Sequence, residues 1–249
     1  MIIAIWGMSA SGKSSLADAI GAMDSQHHLT AVIDTDLCMP TLPLRIGGLR
    51  AGAEVSLGRY LTGIGSVEAN DYYIQHPQHK GLFFSGLTAN DGYMSYEVGL
   101  EKTDRAIDFM ERSGRFFDNI VIDCSVQRTD PFLGAVLQKA DVIVMPMIPK
   151  PAAVHWYRSV QGMLEDAGAL EKCIPVANIV HPFHAVGEVE NQLRIEFAAE
   201  LPFMRDAQLL TDSGGFLTES EAPNAMRWRK QFKALYEQIQ DYRFGGDEA

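Results

Sequence analysis

The chain has 249 residues, 47% of them hydrophobic and 21% charged, with a formal net charge of −11. That balance excludes a disordered or fibrous protein, and the acidic surplus argues against non-specific DNA binding by the surface as a whole, which needs phosphates neutralised by many Lys and Arg. Three cysteines, Cys38, Cys124 and Cys173, are too few and too scattered for a disulfide framework or a paired-cysteine metal site.

The opening residues MIIAIWG lack the features of a signal peptide, and no apolar run is long enough to span a bilayer, so a cytoplasmic protein is expected. Short apolar runs alternate with helix-period segments. This pattern predicts an α/β fold with three layers, a doubly wound, mostly parallel sheet between helices, as a single domain over 1–249. Strands are expected at 2–6, 31–34, 82–85, 120–123, 142–145 and 175–180. Helices are expected from Lys13, over 95–112 with Tyr96, Leu100, Thr103, Ile107 and Met110 on one stripe, and over 131–139, 152–166 and 189–200.

Residues 37–78 are glycine-rich and weakly periodic and read as a long excursion with one short helix near 55–61. The last helix, about 224–242, carries Ala225, Trp228, Phe232, Leu235, Ile239 and Tyr242 on one stripe. Basic residues Arg227, Arg229, Lys230 and Lys233 cluster near its start. The stripe is expected to close the core; peripheral membrane contact is the alternative.

The segment Gly7-Met8-Ser9-Ala10-Ser11-Gly12-Lys13-Ser14 stands between a predicted strand and a predicted helix, the context of a phosphate-binding P-loop. Such a loop aims backbone N–H groups and the helix N-terminus at an anion; Gly7 and Gly12 allow the tight turn and Lys13 adds positive charge. Ser9, Ala10, Ser11 and Ser15 complete the cradle, and the Ser14 hydroxyl is suited to Mg2+. In open α/β sheets ligands sit at the carboxyl ends of strands, so Asp34, Asp36 and Asp123 are expected in the same crevice as Lys13. Hydrolysis needs one group to orient water and one to hold magnesium, roles that suit Asp36 and Asp123.

The order of these motifs resembles the ParA/MinD family of P-loop ATPases. The likeness runs from VIDTD through FFDNIVIDCS and QKADVIVMPMIP to VANIV and ELPFMRDAQLLTDSGG. It implies ATP and Mg2+ as cofactors, Asp36 as the hydrolytic residue supported by Asp34, and Asp123 toward magnesium. It also implies Asn178 at the adenine, with Pro202 and Phe203 against the base. A homodimer and an unidentified protein partner follow from the same resemblance, in a protein that positions a cargo by slow ATP hydrolysis. The family carries a lysine after the first glycine of the loop that reaches the partner's nucleotide; here that position is Met8. AIWGMSASGKSS, SLGRYL and GYMSYE look most like the divergent partitioning-type ATPases related to TadZ.

Two other readings stay open. GMSASGKSS also looks like the loop of small-molecule kinases, for which Arg105, Arg112, Arg115 and Arg128 are the available arginines. A scaffold that binds nucleotide without turnover is the third. The pairs His76 with His79 and His181 with His184 have a metal-like spacing, but lack the further ligands a zinc site needs and are expected to be loop histidines.

Overall fold

A computed structural model describes residues 1–48, 51–91 and 98–244. In chain order the strands are β1 (Ile2–Ile5), β2 (Thr30–Asp34), β3 (Ile74–Gln75), β4 (Leu82–Ser85), β5 (Asn119–Asp123), β6 (Val142–Met147), β7 (Cys173–Val180) and β8 (Glu200–Pro202). The helices are α1 (Lys13–Asp24), α2 (Leu42–Arg45), α3 (Leu57–Thr62), α4 (Thr103–Ser113), α5 (Pro131–Lys139), α6 (Pro151–Asp166), α7 (Val186–Leu193), α8 (Ala207–Asp212) and α9 (Ala225–Phe244). One sheet runs through them in the order β3-β4-β2-β5-β1-β6-β7-β8. Every pairing in it is parallel except β3 with β4.

The central strands are apolar on both faces, as buried parallel strands are. Alternate residues feed opposite cores because side chains alternate across a strand. Ala4, Ile33, Ile122 and Met145 join Phe109, Phe132 and Val154 in one apolar cluster. Ile3, Val32, Val121 and Val144 join Leu16, Ile20, Trp228 and Phe232 in the other. The two clusters make a three-layer doubly wound α/β fold. Ala225, Trp228, Phe232, Leu235 and Ile239 of α9 are all buried, so the apolar stripe of this helix is core and not a membrane-facing surface. No helix among the described residues is long and apolar enough to cross a membrane.

Two helix expectations need correction. The 95–112 helix begins only at Thr103, after a 3-10 turn at Leu100–Lys102, and buries Ala106, Phe109, Met110 and Ser113, whereas Leu100 is 55% exposed. Ser95, Tyr96 and the GYMSYE segment lie outside the described residues. The 189–200 helix is instead α7, ending at Leu193, because Arg194 adopts a left-handed conformation (φ 57°) that stops a right-handed helix. The chain then turns into extended pairing with β7, where Ala198 N–H donates to the Pro175 carbonyl at 2.9 Å. The short strands β3 and β8 were not expected.

Candidate functional site

Parallel pairing gathers the strand ends that the sequence marked. In register, Asp123 stands opposite both Ile5 and Asp34, so β1, β2 and β5 end together. The loop from Gly7 to Gly12 leaves β1 there. Gly7 is irreplaceable on space, since a Cβ at that position would come within 2.4 Å of the Pro146 carbonyl oxygen. Ala10 (φ 57°) and Gly12 (φ 77°) are both left-handed, and Gly12 caps the N-terminus of α1. A positive φ at a residue with a side chain is sparsely populated and clusters at ligand-binding turns.

The Ser11 hydroxyl donates to the Met8 carbonyl at 2.8 Å, and the Lys13 ammonium reaches the same carbonyl at 3.4 Å. Among the described residues, no backbone N–H from Ser9 to Ser15 donates within the chain. Donors arranged this way at a helix N-terminus are suited to an anion. Burial lowers the Lys13 pKa, and the charges of Asp123, Cys124 and Asp36 work against that fall. Ser14 is exposed beside Lys13.

The acidic side of the site is more crowded than the sequence suggested. Asp34 accepts from the Asp36 N–H at 3.0 Å and from the Thr41 hydroxyl, so it does shape the turn that carries Asp36. Asp36, half-buried, accepts from the Cys38 N–H at 2.9 Å. Thr35 links the two acidic turns: its hydroxyl donates to Asp130 and accepts from the Ser125 N–H at 2.9 Å.

Arg45, at the end of α2, was not foreseen. Its guanidinium is bonded to Asp123, stands 3.6 Å from Asp34 and donates to Asp18 of α1 at 3.0 Å. Burial works to lower the Arg45 pKa, but Asp18, Asp34 and Asp123 outweigh it and hold the guanidinium above its ordinary value. Burial raises Asp34 despite Arg45 beside it, and pushes Asp18 up to about 7. No local pattern in LPLRIGG signals this role; only the fold brings residue 45 to residue 123.

Next to the cradle lies a mostly apolar cavity of about 210 Å³. Gly12, Ser15, Asn178, Ile179, Pro202, Phe203 and Trp228 line it, with Ala207 and Gln208 of α8. The Asn178 amide donates to the Ser11 carbonyl at 2.8 Å, joining cavity to loop. Ile179 is left-handed (φ 55°) at the point where the β7 and β8 register slips. Phe203, 40% exposed, stacks on His181 with ring centroids 4.4 Å apart. The expected residues therefore converge on one cleft with an anion cradle, an acidic wall and an apolar slot.

Two expected features fall elsewhere. Met8 is 8% exposed and belongs to the same apolar cluster as Trp6, so its side chain is core. Arg112 is held by Asp108 at 2.8 Å and Arg128 contacts Ser159 at 3.3 Å. At the far side of α2, Gly214 after α8 meets Gly47 backbone to backbone: a Cβ on Gly214 would lie 2.9 Å from the Gly47 Cα.

No family model and no curated protein matches the sequence. Solved structures do match the fold. The septum site-determining protein MinD of Pyrococcus horikoshii, complexed with Mg-ADP, is 17% identical with a TM-score of 0.75, covering 100% of this chain and 98% of that one. A chain of the MinC:MinD cell division protein complex of Aquifex aeolicus is 16% identical with a TM-score of 0.74 over 96% of each chain. A ParA family ATPase from Chlorobium tepidum is 14% identical with a TM-score of 0.73, over 94% of this chain and 98% of that one. The chain therefore has the three-layer P-loop fold of the MinD and ParA-family ATPases.

Proposed function

We propose that this chain is a ParA/MinD-type ATPase that binds ATP with magnesium, hydrolyses it slowly and uses the cycle to control the position or assembly of a protein partner. The observation that carries the reading is the continuity of the cleft. Gly12 belongs both to the phosphate-loop turn and to the cavity, and Asn178 both lines the cavity and bonds to the loop. A ligand with an anionic end and a flat apolar end fits that arrangement, which is the chemistry of a nucleotide.

In this reading Gly7, Ser9, Ala10, Ser11, Gly12 and Ser15 present the cradle and Lys13 balances phosphate charge. Asn178, Pro202 and Phe203 hold the adenine. Ser14 and Asp123 would hold magnesium, whose charge, when bound, neutralises the phosphate oxygens. Asp36 orients the attacking water, with Asp34 fixing its turn through the Asp36 N–H. The resemblance to the MinD and ParA folds supports a homodimer and a partner. The core position of Met8 means that any ATP-dependent dimer is held by contacts other than a lysine at this position.

The test is the mass of the protein in solution without nucleotide, with ADP and with a non-hydrolysable ATP analogue, alongside ATP turnover by the parent, Lys13→Ala and Asp36→Ala. A mass that doubles only with the analogue, loss of nucleotide affinity in Lys13→Ala and loss of turnover alone in Asp36→Ala are expected. Full nucleotide affinity in Lys13→Ala would overturn the phosphate-loop assignment.

A further inference from the structure

Arg45 takes up the carboxylate that the proposed function gives to magnesium. It comes from a four-residue helix, is 6% exposed, and has its guanidinium among Asp18, Asp34 and Asp123. A buried guanidinium in that position does what a bound cation would do: it offsets carboxylates that burial otherwise makes costly to keep ionised. A divalent cation beside Asp123 and a guanidinium on the same carboxylate repel each other strongly in a site this enclosed. The two cannot share Asp123 on equal terms.

We propose that Arg45 is a resident counter-ion for the magnesium site: it holds Asp123 and Asp34 in the magnesium-free protein, and binding of magnesium with nucleotide displaces it together with α2. This rests on the ATPase reading above. Besides Arg45, the segment that would move is held by the buried side chains of Leu42 and Ile46 and by the Thr41 hydroxyl on Asp34, so its displacement is a two-position rearrangement and not a loosening. Leu44, between Leu42 and Ile46, is 50% exposed and Met39 just before them is 61% exposed. Release of Arg45 thus turns occupancy of the phosphate site into a change of surface around residues 39–48, which is the requirement for a nucleotide-dependent switch.

Two measurements on the full chain test this. Binding of a fluorescent ADP with magnesium and with excess chelator gives the factor by which magnesium strengthens binding. That factor is expected to rise about tenfold in Arg45→Gln, in the ordinary range for coupled sites. Because Arg45→Gln leaves three carboxylates unpaired and is at risk of misfolding, the second measurement uses the unsubstituted chain. Trypsin cleavage after Arg45, identified by peptide mass, is expected to be slow in chelator and about tenfold faster with magnesium and ADP, following the exposed population. An unchanged magnesium factor in a folded Arg45→Gln, or an Arg45 bond equally protected in both conditions, overturns the proposal. If the unsubstituted chain binds no nucleotide in either condition, the ATPase reading falls and takes this one with it; binding with unchanged protection removes this one alone.

Discussion

The side-chain amide of Asn178 donates to the carbonyl of Ser11 at 2.8 Å, and lies where a Cβ on Gly12 would meet it at 2.7 Å. The end of β7 therefore sets the shape of a loop 167 residues earlier in the chain. Replacing Asn178 by Ala removes a buried hydrogen bond and leaves the Ser11 carbonyl without that donor, a loss of about 1–2 kcal/mol in urea unfolding. Nucleotide affinity should fall by more than stability does, since both cradle and cavity loosen. An Asn178→Ala protein with parental nucleotide affinity would show that this residue serves the fold only.

Restoring lysine at position 8 should not restore a lysine at the surface. Met8 is packed with Trp6 and its neighbours, so Met8→Lys either buries an ammonium or pulls the loop open to reach water. A destabilisation of at least about 2 kcal/mol is expected, from lost packing and the cost of a buried polar group. Chemical denaturation measures it. A variant as stable as the parent would mean that the loop rearranges freely.

Asp130 gives the stability a pH dependence of definite sign. Burial pushes its carboxyl from 3.8 up to about 7, although the Thr35 hydroxyl and the Phe132 and Ser125 N–H groups oppose the rise. Between about pH 4 and 7 the folded protein keeps a proton here that the unfolded chain has lost, so the contribution of Asp130 to stability declines as pH rises through that window and is level above it. Asp130→Asn keeps the cap on α5, where the side chain accepts from Phe132 N–H, and removes the titration. Relative to the parent, Asp130→Asn should gain stability steadily from pH 4 to pH 7, read from unfolding curves across that range. A difference independent of pH would contradict the raised carboxyl.

Asp24 supplies the control at the opposite end of the sheet. Fully buried, it accepts from the Thr30 hydroxyl at 2.7 Å, the Asn119 amide at 2.6 Å and the Tyr236 hydroxyl at 2.6 Å, tying α1 to β2, β5 and α9. Along α1 it is roughly 16 Å from Lys13, at 1.5 Å per residue. Asp24→Ala should cost about 3 kcal/mol, since several buried donors lose this acceptor at once, with nucleotide affinity unchanged at temperatures where the variant is folded. A parallel loss of affinity would show that the two ends of the sheet are coupled.

The parts of this site that could be read from the sequence are those encoded by neighbours along the chain. Gly7 to Ser14 is a contiguous motif, Asp34 and Asp123 end strongly apolar strands, and α5 carries its own cap and proline at its start, so its bounds are legible in the sequence. Arg45 and Asp18 were missed because their meaning is a contact across 27 and 78 residues, from a segment whose glycines and short turns give no period to follow. The strands β3 and β8, two and three residues long, are too short to show alternation. The error over 189–200 has a single cause: Val189, Leu193 and Phe197 repeat at helical steps and are buried, yet the left-handed Arg194 diverts the chain so that the last of them is buried from an extended segment.

Gly214 meets the backbone of Gly47 so closely that a Cβ on Gly214 would collide with it. On one side of that contact is α2, whose last residue is Arg45; on the other is α8, which lends Ala207 and Gln208 to the cavity. The slot that would receive a base and the wall that would receive a cation are thus joined through one backbone contact, that of Gly214 with Gly47. In the proposed reading nucleoside and metal would then act on the same piece of backbone, and a side chain at Gly214, by pushing α2 and α8 apart, would uncouple the response to the base from the response to the phosphates.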